Sequence, residues 1–448
     1  MTKKPRATSP RTKPVKKAAP AKAPRAPSSP VKLAKAKKAS GSRGAATASK
    51  GQALPKPSAR RPVPQGSKPL TLKIRSFAHL ADVDLTLGDL TVLVGPQGAG
   101  KSLALQWLKV AMDGRQVVEA LKAAGHATDR PEVLIDLIFG AGMAPAWREG
   151  ETEVMLGGKA ISAKGLGRLG DGNEHLFFVP AHRAMLISDG WAAPFQRLTS
   201  ETPAVARLFS QNLFDRFNGK DAGTLFPVGG RLKQEIRDQI DQAVFHRGKV
   251  GIEEDVQHAR RLRLVHGKMH LPFMTWTAGQ REFTPLLIGL YHLMPSTHTR
   301  KREGTDWVVI EEPEMGLHPQ AVTAVMLLVL DLLWRGYRVV LSTHSPHVLA
   351  LLWMMRQLKE RGARWKLVCD AFGVKNQRQM QKVAEAALEK DYRAYLLAFG
   401  EDGRVTSKDI STLDPTDDDE RVAGWGGLTS YTSRFGDAVR TAVNEGDE

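Results

Sequence analysis

The chain has 448 residues, more than one ordinary domain of about 150 needs and enough for a large buried core. Lys and Arg number 65 against 47 Asp and Glu, a formal net charge of +18, but residues 1–70 hold 19 of the cations and no acid, so the rest of the chain carries −1. A single cysteine, Cys369, excludes an internal disulfide and a cysteine-built zinc site, and no run of about 18 apolar residues offers a membrane-spanning helix. A reducing compartment, a cytoplasmic location and no membrane partner are the expectations.

Residues 1–69 are low-complexity Lys, Ala, Pro and Ser, with 12 prolines and no aromatic residue. Such a segment cannot bury enough apolar surface to order itself, so a disordered basic tail is expected. It reads as a solvated linker or as an arm for non-specific DNA or RNA contact; its prolines argue against an amphipathic transit peptide. From Leu70 the pattern changes. Alternating apolar residues over 70–94 predict two or three strands, and helices are expected at 101–112 and 115–124. A hairpin is expected over 152–161, turning at Gly157-Gly158, and a buried strand over 175–179. Helices follow at 202–217 and 232–246, strands at 249–254, 261–266 and 269–275, and a helix at 278–293. The runs 307–310 and 338–341 are short and mainly apolar, as central strands of a mostly parallel sheet should be. A last hairpin closes at Glu401-Asp402-Gly403.

Gly95-Pro96-Gln97-Gly98-Ala99-Gly100-Lys101-Ser102 fits G-x-x-x-x-G-K-[ST] and stands between an apolar strand and a helix. Its glycines let backbone N–H groups curl around phosphates at the positive end of a helix. Lys101 supplies a point charge to the β- and γ-phosphates of ATP, and the Ser102 hydroxyl a ligand for Mg²⁺. The apolar run 307–310 leads into Glu311 and Glu312 at the same carboxyl edge of the sheet. Glu311 is suited to the Mg²⁺ shell and Glu312 to orienting or deprotonating the attacking water; alone, the pair could be an exposed acidic strand end. Thr277, Ala278, Gly279 and Gln280 open a helix, which makes either an anion site without its own phosphate loop or an ordinary Thr N-cap. His344 lies just past the strand 338–341, where it is either structural or within reach of a γ-phosphate.

With these segments in view, the chain from Leu70 to about Leu352 resembles the ABC-type ATPases of the SMC, RecF and OLD group, above all their stand-alone AAA-type relatives. "TAGQRE" is similar to that group's signature motif, "VVIEEPEMGLHPQA" to its Walker B and D-loop, "LSTHSPHVL" to its H-loop, and "FFVPAHRA" to its Pro-Ala-x-Arg segment. Gln97 stands where Asn is usual, Thr277 where Ser is usual, and His182 where an acid is common.

The resemblance implies an α/β fold, an ABC-type P-loop head with a mixed β-sheet flanked by helices. The expected layout is a tail at 1–69, a head at 70–352 with a helical insertion at about 184–248, and a C-terminal part of the head at 353–448. The helices of the insertion are expected to form a short lobe projecting from the head. The resemblance also implies a homodimer or higher homo-oligomer in which two heads sandwich ATP, with Thr277, Ala278 and Gly279 of one head touching the γ-phosphate held by the other. OLD proteins continue into a TOPRIM nuclease, but the acidic run 414–420 contains Pro415 and follows no apolar strand, so a separately encoded effector protein is expected. The function implied is an ATP-hydrolysing sensor or motor subunit in bacterial defence; a RecF-like repair ATPase and a regulatory ATP-binding scaffold are the alternatives.

Overall fold

The computed structural model describes residues 69–219, 223–254, 258–295 and 300–446. The expected basic tail, apart from its last residue, lies outside them. In chain order, β1 (Leu70–Phe77), β2 (Leu80–Leu87) and β3 (Leu90–Val94) precede α1 (Lys101–Ala123) and α2 (Pro131–Phe139). The hairpin β4 (Glu153–Leu156) and β5 (Lys159–Ile161) leads to β6 (Leu176–Val179) and a two-residue pair, β7 (Ile187–Ser188) and β8 (Trp191–Ala192). Next come α3 (Ala204–Asn218), β9 (Thr224–Phe226), α4 (Gln234–Ile240), β10 (Lys249–Glu254), β11 (Arg260–His266) and β12 (Met269–Pro272). α5 (Ala278–Leu290), β13 (Trp307–Glu311), α6 (Pro319–Arg335), β14 (Arg338–Ser342) and α7 (Pro346–Glu360) follow. The chain continues through α8 (Trp365–Ala371), α9 (Arg378–Leu388), β15 (Tyr392–Phe399), β16 (Val405–Asp409), α10 (Glu420–Ala423) and α11 (Ser430–Gly446). No described helix is long and apolar enough to cross a membrane.

Ten strands form one mixed sheet in the order β5-β4-β1-β2-β16-β15-β3-β14-β13-β6. The block β15-β3-β14-β13-β6 is parallel throughout, whereas β5, β4, β1 and β2 pair antiparallel. All residues of β3 and β13 are buried, because helices cover both faces. On one face lie α1 and α2, with Trp107, Leu108 and Ile138 packed among Leu72, Ile74 and Val309. On the other, α3, α5 and α6 pack with Phe209, Leu286 and Leu328 among Val92, Val308 and Ile310.

The insertion is part helix and part sheet, and it is packed down on the head instead of projecting from it. Its strand β9 is the edge of a four-stranded antiparallel sheet, β12-β11-β10-β9, whose other three strands follow the insertion in the chain. Phe226 contacts Phe245 (ring centroids 4.8 Å apart), which meets Phe283 of α5 edge-on at 5.8 Å. Leu213 and Phe217 of α3 are fully buried in the same cluster as Val308, so exposing them in a free-standing lobe would forfeit that burial.

The two helices expected at 101–112 and 115–124 meet where expected, at a kink within α1 where Asp113 leaves helical geometry with φ −123° and ψ 26°. The cause is a tertiary bond that local pattern does not carry. The Asp113 carboxylate accepts from Lys109 Nζ (2.8 Å) and from the backbone N–H groups of His175 (3.0 Å) and Leu176 (2.9 Å), fixing the start of β6. Lys109 and Asp113 are each 1% exposed. Two smaller differences have local reasons: β12 stops at Pro272, which cannot donate to a strand partner, and α5 ends at Leu290, three residues early. Asp113→Ala leaves Lys109 charged and buried with two strand N–H groups unpaired. We expect a loss of about 3–5 kcal/mol in urea unfolding; a loss under 1 kcal/mol would mean that the kink needs no such tie.

Candidate nucleotide site

The phosphate loop runs from the end of β3 into α1. Gly95, Gly98 and Gly100 have φ of 145°, 77° and 75°, which curl the chain back over the helix start. A Cβ on Gly95 would lie 2.2 Å from the carbonyl oxygen of Leu397 in β15, whereas one on Gly98 would meet nothing within 4 Å. Lys101, at the first helical position, is buried, and its Nζ donates to Gly95 O (2.9 Å) and Pro96 O (3.0 Å). Burial pulls the Lys101 pKa down, against Glu312, Glu314 and Glu311, which raise it. The structure thus brings the loop cation and three carboxylates together.

Those carboxylates sit at or just after the end of β13. Glu311 is buried; its Oε2 accepts from Ala181 N–H (3.1 Å), and Ser102 lies beside the carboxylate. Burial pushes its carboxyl up from the ordinary value, while Ser102 and Ala181 hold it down. Its Oε1 is buried without a partner. A hydroxyl and a carboxylate oxygen meeting in this way fit Mg²⁺, which takes one or two protein oxygens and completes its shell with phosphate and water. Among the described residues no group of three or more His, Cys, Asp or Glu is placed to hold a metal ion.

Glu312 follows at φ 41°, a left-handed conformation that costs a non-glycine residue about 1–2 kcal/mol and that the surroundings must hold. Its N–H donates to Ser342 O (2.9 Å), and its Oε1 lies 3.6 Å from His344 Nε2. Burial, and then Lys101, lower the His344 pKa, so the ring is neutral at pH 7 and can accept or donate. Glu314 supports this corner: its Oε1 accepts from Thr343 Oγ1 (2.6 Å) and from His344 N–H (2.7 Å), tying the loop after β13 to the loop after β14.

The segment 277–280 is not part of this cluster. Thr277 caps α5 in a full capping box, accepting from Gln280 N–H and donating its own N–H to Gln280 Oε1, each at 3.2 Å. The N-cap reading is therefore correct as geometry, yet the N–H groups of Ala278 and Gly279 still have no acceptor within the helix. Gln280 Nε2 reaches Val244 O at 3.0 Å. Gly279 packs so closely on the loop after β13 that an added Cβ would lie 2.7 Å from Gly316 O. Thr277 and Ala278 are exposed.

Sequence reasoning gave no role to three residues that structure this site. Arg183, in the "FFVPAHRA" segment, is wholly buried and donates to Pro180 O (3.2 Å), Glu311 O (2.8 Å), Glu312 O (3.3 Å) and Glu282 O (3.2 Å). Glu314 stands in "VVIEEPEMGLHPQA" without a role of its own. His79, in the turn after β1, stacks on Phe399 (ring centroids 6.1 Å apart) beside Gly100, and its Nε2 has no partner. Only an arginine three residues after a strand-ending proline hinted at the first.

Residues 208–350, about a third of the chain, match the family described as "AAA domain, putative AbiEii toxin, Type IV TA system". That span holds 277–280, Glu311, Glu312 and His344 but not the phosphate loop. No curated protein matches the chain. Among solved structures it is similar to the SMC head domain from Thermotoga maritima, with 12% identity over 76% of this chain and 99% of that one, at a TM-score of 0.33. It is also similar to an SMC head bound to the C-winged helix domain of ScpA, with 11% identity over 76% and 96% and a TM-score of 0.36. Scores this low mean that the architectures superpose only loosely. The mixed sheet flanked by helices, with the phosphate loop between β3 and α1, is an α/β P-loop fold, and over 208–350 the chain resembles that AAA family.

The glycine geometry makes a graded test. Gly95→Ala drives a Cβ into backbone at a strained φ and should lower the melting temperature strongly. Gly98→Ala meets open space and should cost only about 1 kcal/mol. Equal melting temperatures for the two variants would contradict the close approach of β15 to the loop.

Proposed function

We propose that this chain is an ATPase, converting ATP and water to ADP and phosphate, whose heads pair around ATP. It serves as the sensor or motor subunit for a separate effector in bacterial, including anti-phage, defence. The observation that carries the enzymatic reading is the convergence of Lys101, Ser102, Glu311, Glu312 and His344 at one sheet edge. The loop 95–100 and Lys101 bind the phosphates, and bound Mg²⁺, held by Ser102 and Glu311, would neutralise charge building on them. Glu312 takes a proton from the attacking water, and His344 beside it orients that water or touches the γ-phosphate. The exposed turn 277–279 supports pairing of heads, since it offers helix N–H groups with no phosphate loop on the same helix.

The defence role draws on the match over 208–350 to a family whose description names a toxin–antitoxin system. A RecF-like repair role is favoured by one observation, the 19 cations of the tail, set against a near-neutral remainder. A scaffold without turnover is disfavoured by Glu312, which stands where a base is needed.

Lys101→Ala should abolish ATP binding in calorimetry. Glu312→Gln should bind ATP but hydrolyse it roughly 10²–10⁴-fold more slowly and accumulate as an ATP-bound dimer. Near-normal turnover by Glu312→Gln would remove Glu312 as the base. For the paired-head model, Ala278→Asp is cleaner than any change at Gly279, where a side chain already meets Gly316 of its own chain. An acid in the first turn favours the helix, so folding and ATP binding by single heads should persist. Facing the partner's γ-phosphate, it should cut hydrolysis about tenfold or more and prevent ATP-driven dimers in sedimentation. Unaltered hydrolysis and dimerisation would overturn the sandwich.

A further inference from the structure

Arg183 follows His182, itself at φ 50°, and a short turn there aims its side chain inward beneath the end of β13. Its guanidinium has five donor hydrogens in a rigid fork. One nitrogen, Nη1, donates to Pro180 O and Glu311 O, Nη2 donates to Glu312 O, and Nε donates to Glu282 O. Glu282 lies in the first turns of α5, and its Oε2 stands 3.8 Å from Arg183 Nε while accepting from Ala184 N–H at 3.3 Å. A single side chain therefore joins the backbone of both site carboxylates to the helix that begins at Thr277. The carbonyls it binds belong to residues 128 and 129 positions away, and the helix carbonyl to one 99 positions away.

This arrangement is more than a satisfied buried cation. Glu312 sits in a left-handed conformation and must be held there: its N–H donates to Ser342 O, and its carbonyl accepts from Met315 N–H and from Arg183 Nη2, the one side chain among the three. Lysine keeps the charge but has no planar fork, so it cannot serve four carbonyls on three segments at once. We infer that Arg183 is a positioning residue for hydrolysis, holding the strained Glu312 in register with the first turns of the signature helix. This inference rests on the ATPase reading above and adds the route by which a phosphate bound at 277–279 bears on the water-activating carboxylate of the same head.

The test uses the full chain and compares wild type, Glu312→Gln, Arg183→Lys and Glu282→Gln. Glu282→Gln removes charge from the other end of the link and leaves the β13 carbonyls untouched, so it reports even if Arg183→Lys folds poorly. ATP affinity by calorimetry should stay within about threefold of wild type in Arg183→Lys and Glu282→Gln. Turnover at saturating ATP should fall roughly 10–100-fold in Arg183→Lys, the scale of a misplaced catalytic group, and by a smaller factor in Glu282→Gln. The double variant should lose less than the product of the two factors, because both act on one link. Turnover unchanged in both single variants overturns the inference, as does a loss matched by an equal loss of ATP affinity, which would mark Arg183 as structural support alone. Wild-type protein that binds ATP without turnover would instead overturn the ATPase reading, and this inference with it.

Discussion

Everything at the site depends on the register of the parallel strands. β3, β14 and β13 lie side by side with Leu93 opposite Ser342 and Ser342 opposite Glu311, so their carboxyl ends come out together. The loops that follow them, 95–100, 343–345 and 312–318, must then share one edge although more than 200 residues separate the first from the last. Side chains alternate between the faces of a sheet, so a one-residue slip of β13 would exchange Glu311 and Glu312. The buried carboxylate beside Ser102 would become the exposed one, and the residue beside His344 would turn inward. The buried apolar runs 307–310 of β13 and 339–341 of β14, covered on both faces, make such a slip costly.

The register also concentrates charge. Glu311, Glu312 and Glu314 lie within four residues, and all three act on Lys101 and on Arg183. Like charges so close, partly out of water, repel strongly unless cations or donors offset them. Their surroundings differ: Ser102 and Ala181 lower the Glu311 carboxyl, Thr343 and the His344 N–H donate to Glu314, and Glu312 stands 3.6 Å from the His344 ring. Three neighbouring acids thus have three different surroundings, which is why they are not interchangeable.

What could be read from sequence follows from how local each feature is. The phosphate loop, the apolar strand before Glu311 and the strand before His344 are each written within a dozen residues, and the structure brings them to one edge. The hairpins at 152–161 and 392–409 are likewise local, carried by alternation and glycine turns. The break in α1 was legible but its cause was not, because Asp113 leaves the helix to serve N–H groups more than 60 residues on. Arg183 and Glu314 were named or passed over without a role for the same reason: their partners come from segments that only the folded sheet makes neighbours. The docking of the insertion was hidden too, since Phe209, Leu213 and Phe217 make an apolar helix face that sequence alone cannot assign to a partner.

The last strands of the chain bear on the first motif. β15 and β16 lie in the middle of the ten-stranded sheet, between β3 and β2, with β15 parallel to β3 and Leu396 opposite Val94. They are no appendage, because without them β3 would lose one of its two neighbours and the phosphate loop would start from a sheet edge. The Leu397 carbonyl lies so near Gly95 that no side chain fits there, and Phe399 at the end of β15 packs on His79 across from Gly100. The glycine at the first position of the phosphate loop is therefore demanded twice, once by its φ and once by a strand that the chain adds 300 residues later.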